Sequence, residues 1–217
     1  MVENLMSSAH PSAADANAAT VPARPMRADA VRNRRKILDA AATQITAHGP
    51  EVGMDEIAAA AGVAVGTLYR HFPTKVDLIA AVIAQYVEEV ANDADASLAR
   101  ARAGSRAVDE VVGFLDRVAE STAHNHAVKG AARTVGVEGH GEHPGEVRAG
   151  TALTELLHMG QEAGDVRSHI TLDDIYLLMA TAPTDQSEEV RKRWLELILP
   201  GITTPESGIN GPSSNVM

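Results

Sequence analysis

Residues 62–75 constrain this chain more than any other stretch, because they predict a short helix between two breaks. Gly62 and Val63 predict a tight turn before that helix, and Pro73 ends it, since proline cannot continue a helix. The alanine-rich residues 53–61 predict another compact helix before the turn. Two short helices joined by a turn that contains glycine outline a helix-turn-helix unit, whose second helix enters the major groove of DNA. The stretch therefore indicates a DNA-binding chain.

The composition favours closely packed helices. Of 217 residues, 45% are hydrophobic, but only 1 Trp, 3 Tyr and 2 Phe are aromatic, so Ala, Leu and Val must fill the interior. The chain has no Cys, which excludes disulfides and thiol chemistry. No apolar run approaches the ~20 residues of a membrane helix, and the N-terminus lacks the pattern of a secretory signal. We expect an all-α, soluble, cytoplasmic protein.

The charge is distributed unevenly. The net charge is -10, which by itself argues against a polyanionic partner. Residues 24–75, however, carry eight Lys and Arg against five Asp and Glu, so this segment is basic. A basic segment joined to an acidic remainder fits local contact with phosphates by one part of the molecule.

The basic segment begins with a tail and a first helix. Residues 1–26 lack apolar periodicity and are predicted to be disordered, although Arg24 and Arg27 could act as an arm in a DNA groove. Residues 29–48 predict a helix that ends at Gly49-Pro50. Its first turns carry a cluster of bases that includes Arg34 and Arg35, which we expect to contact phosphates. The alternative is that this cluster is an ordinary solvated face.

The helix after the turn, residues 64–71, is predicted to face DNA. Val63, Leu68 and Phe72 should point inward, which leaves the remaining side chains outside. The predicted DNA-binding set is Arg34, Arg35, Val65, Gly66, Thr67, Tyr69, Arg70, His71 and Lys75. Tyr69 and His71 could alternatively be packing residues around the turn.

Several spaced blocks in this region resemble the DNA-binding domain of the tetracycline-repressor (TetR) family. They are Arg35-Lys36-Ile37-Leu38-Asp39-Ala40-Ala41, Asp55-Glu56-Ile57-Ala58, Ala61-Gly62-Val63 and Gly66-Thr67-Leu68-Tyr69-Arg70-His71-Phe72 with Lys75. The resemblance implies an all-helical homodimer that binds a palindromic operator through N-terminal domains and a small-molecule inducer through C-terminal ones. It also implies phosphate contacts by Thr67, Tyr69, His71 and Lys75, and places Val65, Gly66 and Arg70 near base edges.

Two departures from that family pattern bear on DNA contact. Gly53 stands where many relatives have Thr or Ser, which puts one helix cap and one phosphate contact in doubt, although glycine is an acceptable N-cap. Ala64 and Val65 are apolar where relatives often carry polar or basic groups. Base readout is therefore expected to depend on thymine methyl groups, or on Arg70 and the arm.

The rest of the chain predicts further helices. Thr74 to Asp77 form a capping-box pattern that opens a helix reaching about residue 102. Helices are also predicted over residues 105–124, 146–164, 171–182 and 187–199, with a short helix and then a mobile loop between residues 125 and 145. The predicted domains are a helix-turn-helix domain over residues 27–75, a ligand-binding and dimerisation domain over 76–202, and a disordered tail over 203–217.

The last two predicted helices are amphipathic, and such a pair can form a four-helix bundle across a twofold axis. The predicted dimer interface is Ile175, Leu178, Met179, Val190, Trp194, Leu197 and Ile198. The alternative is that these side chains pack only within one chain.

The predicted effector site is Phe114, Leu115, Val118, His124, Leu153, Leu157 and His158. Because most of that set is apolar, we expect an apolar or amphipathic effector, although each residue could instead be plain core.

The sequence does not favour a metal site or an enzyme active site. His124, His126, His140 and His143 have spacings that occur in metal sites, but their glycine-rich surroundings fix no geometry, so we expect solvated loop histidines and no cofactor. The sequence has no nucleophile elbow and no phosphate-binding glycine loop after a strand, so no enzyme activity is expected. We hypothesise that the protein is a ligand-responsive homodimeric repressor. The alternatives are a metal- or small-molecule-handling helical protein with an incidental basic patch, and a regulator that needs no ligand.

Overall fold

The computed structural model describes residues 23–134, 136 and 143–208, and its regular structure there is helical. The helices are α1 (Ala23–His48), α2 (Met54–Ala60), α3 (Val65–His71), α4 (Lys75–Arg102), α5 (Ala107–His124), α6 (His126–Thr134), α7 (Pro144–Glu162), α8 (Leu172–Ala180) and α9 (Glu188–Ile202), followed by a 3-10 turn at Pro205–Ser207. This architecture confirms the predicted all-α class. None of the described helices is long and apolar enough to cross a membrane.

Most predicted boundaries agree with the structure to within two residues, but the start of α1 does not. The helix begins at Ala23, six residues before the predicted Asp29. Pro25 lies in the first turn, where its missing N–H costs no helical hydrogen bond, so the proline does not prevent the earlier start. The predicted disordered tail is therefore wrong for residues 23–26, while residues 1–22 lie outside the described residues. The predicted mobile loop also lies largely outside them.

The end of the chain departs from prediction as well. The predicted disordered tail is wrong for residues 203–208, because this segment is bound to the body of the protein. The backbone N–H of Thr204 donates to the carbonyl of Asp165 over 2.9 Å. The Arg106 guanidinium bridges the Asp165 carboxylate at 2.9 Å and the Ser207 carbonyl at 2.6 Å. Residues 209–217 lie outside the described residues.

Two hydrophobic cores organise the fold. The first lies among α1, α2, α3, the beginning of α4 and α6, and includes Ile37, Ile57, Leu68, Leu78 and Val128. The second lies among the rest of α4, α5, α7, α8 and α9, and includes Leu98, Leu115, Leu156, Ile175 and Leu199. The first core is the scaffold of the predicted helix-turn-helix unit. The participation of α6 in that core was not predicted.

Helix α4 joins the two cores. It has 28 residues and is therefore about 42 Å long at 1.5 Å per residue. Its first turns contribute Leu78, Ile79 and Val82 to the first core, and its later turns contribute Ala91 and Leu98 to the second. The predicted capping box opens it, because the Asp77 N–H donates to Thr74 Oγ1 over 3.1 Å and the Thr74 N–H donates to Asp77 Oδ2 over 3.0 Å. A rigid rod thus connects the two regions.

Candidate nucleic-acid interface

Helix α3 is held by a small number of buried side chains. Leu68 is fully buried and Phe72, which caps the helix, is 3% exposed. Val63, in the preceding turn, is partly buried against the same core. All three point inward as predicted, so two turns of helix are anchored to α1 and α2 by one side.

The opposite side of α3 is exposed. Val65 is 41% and Tyr69 is 47% exposed, and Gly66 and Arg70 lie beside them on the same two turns. Thr67 and His71 are half-buried. Residues four apart on a helix share a face, so Val65 with Tyr69 and Gly66 with Arg70 form two adjacent stripes. The structure therefore places the predicted recognition residues together on an accessible surface.

Arg34 on α1 joins this surface through a contact that the sequence did not reveal. Its guanidinium carbon lies 5.3 Å from the centroid of the Phe72 ring, which is the geometry of a cation–π contact. The ring of His71 is adjacent, with its centroid 6.2 Å from that of Phe72. Lys75 follows as the first residue of α4. Arg34 and His71 thus both lie beside one aromatic ring at the end of α3, and Lys75 follows three residues along the chain from it.

The cations of this surface are available to an anionic partner. Within the described ranges, Arg34, Arg35, Lys36, Arg70 and Lys75 form no ion pair with a carboxylate, whereas nearby Arg32 is paired with Asp29. The two acids at the start of α2, Asp55 and Glu56, are exposed and sit at the positive end of that helix. A cluster of unpaired cations is costly in isolation and favourable against phosphates.

Gly53 caps α2 without a side chain. Its backbone N–H donates to the Glu56 carboxylate over 2.8 Å, and no side-chain oxygen caps the helix in return. Only the half of the capping box that Glu56 provides is therefore present. Thr or Ser at this position could also use its hydroxyl to contact a phosphate. Glycine has no hydroxyl, so Gly53 cannot make that side-chain contact.

The predicted effector residues are dispersed. Phe114, Leu115, Val118, Leu153 and Leu157 are packed in the second core. His158 instead lines an open groove of about 570 Å³ between α7 and α8, and the side chain of His124 lies outside the described residues. The groove is lined by Glu146, Val147, Gly150, Thr151, Thr154, Glu155, His158, Leu172 and Tyr176.

Sequence reasoning missed this groove, although Gly150 gave a signal. A Cβ added at Gly150 would lie 2.9 Å from the Tyr176 hydroxyl and 3.2 Å from Leu172 Cδ2. A glycine in the middle of a helix is unfavourable, and here it permits the close approach of α8 to α7. Burial and the charges of Glu146 and Asp173 raise the pKa of Tyr176, so its hydroxyl remains a neutral hydrogen-bonding group.

The predicted dimer residues divide into two groups. Ile175 is 1% exposed within one chain, so its assignment to an interface is wrong: it faces the second core. Leu178, Met179, Trp194 and Ile198 are partly buried against that core, while Val190 and Leu197 are exposed, Leu197 to 64%. The exposed Tyr176 and Leu177 of α8 were missed. Helix periodicity identified the apolar positions but not which of them face solvent.

A polar contact at the junction of the two regions was also missed. Tyr86 on α4 shares a hydrogen bond of 2.6 Å with Thr122 on α5, and the Lys129 ammonium on α6 lies 4.5 Å from the centroid of its ring. Burial lowers the pKa of Lys129, and the positive charge of Arg133 lowers it further. Burial raises the pKa of Tyr86. Three helices therefore meet at one partly desolvated polar cluster.

The described histidines do not assemble a metal site. Nδ1 of His126 lies 3.3 Å from the Thr184 hydroxyl, and Nδ1 of His143 accepts from the Gly145 N–H at the start of α7. His140 and the side chain of His124 lie outside the described residues. Among the residues that are described, no group of three or more His, Cys, Asp or Glu side chains could hold a metal ion.

Comparison with known proteins adds two family matches. Residues 37–82 match the model for bacterial regulatory proteins of the tetR family, and residues 106–204 match the SbtR-like transcriptional regulator C-terminal domain. The first match covers part of α1, α2, α3 and the start of α4, and the second covers α5 to α9, including α6, which packs in the first core. The part of α4 that links the cores lies between the matches.

Individual relatives agree with these families. The TetR transcription regulatory protein from Mycobacterium vanbaalenii is 32% identical, with a TM-score of 0.67 over 82% of this chain and 99% of that one. The TetR transcriptional regulator SCO0520 from Streptomyces coelicolor is 28% identical, with a TM-score of 0.61 over 78% of this chain and 98% of that one.

A curated relative, the HTH-type transcriptional repressor LfrR from Mycolicibacterium smegmatis, is 41% identical over 90 residues, which are 42% of this chain and 43% of LfrR. The chain spans about half the length of the curated relatives that it matches.

Proposed function

Because the chain belongs to the TetR family of bacterial transcriptional regulators, we propose that it is a cytoplasmic homodimeric repressor. Two copies would bind a palindromic operator, and a small apolar or amphipathic molecule would release them. The observation that carries this proposal is the exposed face of α3, flanked by unpaired cations of α1 and α4. No enzymatic step and no cofactor is part of the proposal.

The predicted DNA-binding residues divide into Val65, Gly66 and Arg70, which would lie near base edges, and a larger group that would bind phosphates. The hydroxyls of Thr67 and Tyr69, the imidazole of His71 and the ammonium of Lys75 would bind phosphates. Lys75 adds its charge at the positive end of α4, where backbone N–H groups also favour an anion. Arg34 and Arg35 would bind phosphates on the flank of α3, with Arg34 oriented by Phe72. Such contacts fix the position of the protein on the duplex and make binding depend on salt.

The proposed dimer pairs α8 and α9 of one chain with those of its partner. The support is that both helices expose large apolar side chains, which are Tyr176, Leu177, Val190 and Leu197. The paired helices would form a four-helix bundle. The bundle would hold the two α3 helices about 34–36 Å apart, the separation of successive major-groove half-sites.

The proposed response to ligand uses α4 and α6. Both helices contribute to the first core, and α4 also contributes to the second. Lys129 of α6 lies over Tyr86 of α4, which is hydrogen-bonded to Thr122 of α5. A ligand that favours a different placement of α5 or α7 would therefore move α6 against α1. If the ligand binds this second arrangement more tightly than the DNA-binding arrangement, linkage requires that it lower DNA affinity. The largest reduction is the ratio of the ligand's affinities for the two arrangements.

The effector site stays a prediction at the level of residues. Phe114, Leu115, Val118, Leu153 and Leu157 would line it from the second core, with His124 or His158 as a polar anchor. The groove between α7 and α8 supports a role for His158, because this side chain already faces open space. The lining of that groove favours an amphipathic molecule over a polyanion, since the described residues that line it include apolar side chains but no Lys or Arg.

Fluorescence anisotropy with labelled duplexes tests the proposal. Fragments that the protein selects from genomic DNA should retain affinity at salt concentrations that abolish binding to a random duplex. Tyr69→Ala and Lys75→Ala should each weaken this binding. Lys192→Ala is a matched control for Lys75→Ala, because Lys192 is an exposed lysine of α9 that is paired with Glu188. It should bind DNA as the wild type does once its mass confirms a dimer.

Equal affinity for selected and random duplexes would contradict the repressor assignment and favour the alternative of an incidental basic patch. A panel of apolar and amphipathic compounds in the same assay tests the effector. If the operator is bound but no compound releases it, the protein is the ligand-independent regulator.

A further inference from the structure

The first turn of α3 differs in chemistry from the second. Ala64, which caps the helix, and Val65 and Gly66, which open it, are all exposed and have no polar side-chain atom. Tyr69, Arg70 and His71, one turn later, all carry polar groups. In a helix-turn-helix unit the early residues of the second helix lie closest to the base edges. The side chains of Ala64, Val65 and Gly66 therefore offer only carbon and hydrogen atoms to a base edge.

Gly66 is not required by the fold. A Cβ added there would meet nothing within 4 Å, and its backbone is not among the positive-φ glycines of the chain. Glycine inside a helix is less stable than alanine, so the position costs stability without a packing reason. What glycine does provide is a flat surface beside Val65. That surface allows the helix backbone to approach a base pair more closely than any side chain would permit.

Val65 is the apolar group that such an approach would deliver. Its isopropyl group is 41% exposed, although it is close to the buried Leu68 along the helix. In the major groove the apolar feature of a base pair is the C5-methyl group of thymine, and all other readable positions are hydrogen-bond donors or acceptors. An isopropyl group can distinguish thymine by contact but can satisfy none of the other groups.

We propose that Val65 recognises thymine in each operator half-site through its C5-methyl group, and that Gly66 is present to let the helix come close enough. The inference rests on the proposed function, since it concerns the same DNA surface. It assigns specificity at this position to methyl contact, whereas Arg70 remains the hydrogen-bonding residue of the same face.

The test uses the duplex that the full chain selects from a random library. Each thymine is replaced in turn by deoxyuridine, which removes the C5-methyl group and leaves base pairing unchanged. We expect one or two thymines per half-site at which the replacement weakens binding about fourfold, the effect of one methyl group returned to water. With Val65→Ala the same replacements should have no effect, because the contact is already lost.

Val76→Ala is the matched control, since Val76 on α4 is 43% exposed, against 41% for Val65, and has no part in the proposed base contact. It should keep the full sensitivity to deoxyuridine. If no thymine is sensitive, or if Val65→Ala remains as sensitive as the wild type, the inference is overturned while the proposed function stands. If no duplex is selected at all, the proposed function fails and the inference fails with it.

Gly66→Ala provides a second, independent outcome. The added methyl group should raise the melting temperature, because it has space and alanine favours a helix. It should also weaken operator binding at least tenfold, because it separates the helix from the bases. A variant that is more stable and binds the operator as tightly as the wild type would overturn the role of Gly66 in close approach.

Discussion

The two regions of this chain carry function in different ways. In the N-terminal region, which comprises α1 to α3 and the start of α4, the proposed DNA-binding groups are side chains that project from a small, filled core. In the C-terminal region, residues 106–204, the proposed functions need space between helices and a face that a second copy covers. The first kind of site can be recognised from the types of residue in a short segment. The second kind depends on how distant helices pack.

Adjacent residues show the contrast. Leu68 is fully buried and Tyr69, next to it, is 47% exposed. In α3, therefore, a residue that packs in the core and a proposed DNA-contacting residue are neighbours in the chain. In α8, spacing assigned Ile175 to the interface and left Tyr176 out, yet Ile175 is buried and Tyr176 is exposed. In a region with one small core, an apolar side chain is either in that core or exposed. In a region that also packs against a partner, the same side chain can be buried in the core or in the interface.

The largest expected effect tests whether the regions are energetically separate. Leu68→Ala should cost about 2–5 kcal/mol of stability, as a buried leucine replaced by alanine does, and should abolish operator binding by releasing α3. The dimer should persist, because Leu68 belongs to the first core only. Thermal unfolding, anisotropy and sedimentation measure the three properties.

Leu156→Ala is the matched change, since Leu156 is also fully buried but belongs to the second core. It should cost a similar free energy of unfolding and disturb dimerisation. Loss of the dimer in Leu68→Ala would show that α4 and α6 merge the two cores into one cooperative unit, and the comparison of independent regions would then fail.

The next effect tests the partner-covered face. Leu197→Asp places a charge on the most exposed apolar position of α9. If α9 pairs with a second copy, burying that charge should weaken the dimer about 100-fold, or roughly 3 kcal/mol. Val76→Asp, at an exposed valine on α4, is the control and should leave the mass unchanged. A Leu197→Asp protein that sediments as the wild-type dimer would remove α9 from the interface.

Sequence reasoning was sufficient for most helix boundaries and for the buried side of α3, because both follow local rules. The capping-box patterns at Thr74 and Thr171 predicted the starts of α4 and α8. Pro73 predicted the end of α3. Sequence reasoning was insufficient where distant segments meet. The contact between Arg34 and Phe72 joins residues 38 positions apart, and no periodicity indicates such a pairing.

The effector site was the least predictable part for the same reason. Spacing assigned Phe114, Leu115 and Val118 to the inside of α5, and they are inside. Whether an inward side chain fills a core or borders a cavity depends on the volumes of residues from other helices. The groove beside Gly150 arises from the angle between α7 and α8, which a linear pattern does not contain.

A smaller effect sharpens the surface character of the N-terminal region. Arg34→Ala should weaken operator binding about tenfold and lower the slope of log affinity against log salt by roughly 0.9, the loss of one phosphate contact. Arg193→Ala removes an exposed arginine of α9 that is paired with Glu196, and it should change neither quantity. A reduced affinity with an unchanged salt slope would mean that Arg34 acts only by supporting Phe72.

The smallest effect compares equivalent caps in the two regions. Thr74→Ala and Thr171→Ala each remove the hydroxyl of a capping box, and each should cost about 1 kcal/mol. Because Thr74 precedes Lys75 at the DNA surface, Thr74→Ala should also weaken operator binding. Thr171→Ala should leave it unchanged and loosen only the start of α8.

The Thr171 cap also predicts a dependence on pH. Hydrogen bonds from the Thr171 hydroxyl and backbone N–H lower the pKa of Asp174 in the folded protein. A carboxyl whose pKa is lower folded than unfolded stabilises the fold above the unfolded value of about 3.9 and loses that contribution as pH falls through the folded pKa. Thr171→Ala should therefore lose part of its stability deficit in acid, since the wild type loses the same interaction there. A deficit that stays constant from neutral pH to pH values below the folded pKa would mean that the hydroxyl acts on the helix N–H groups alone, without the carboxylate of Asp174.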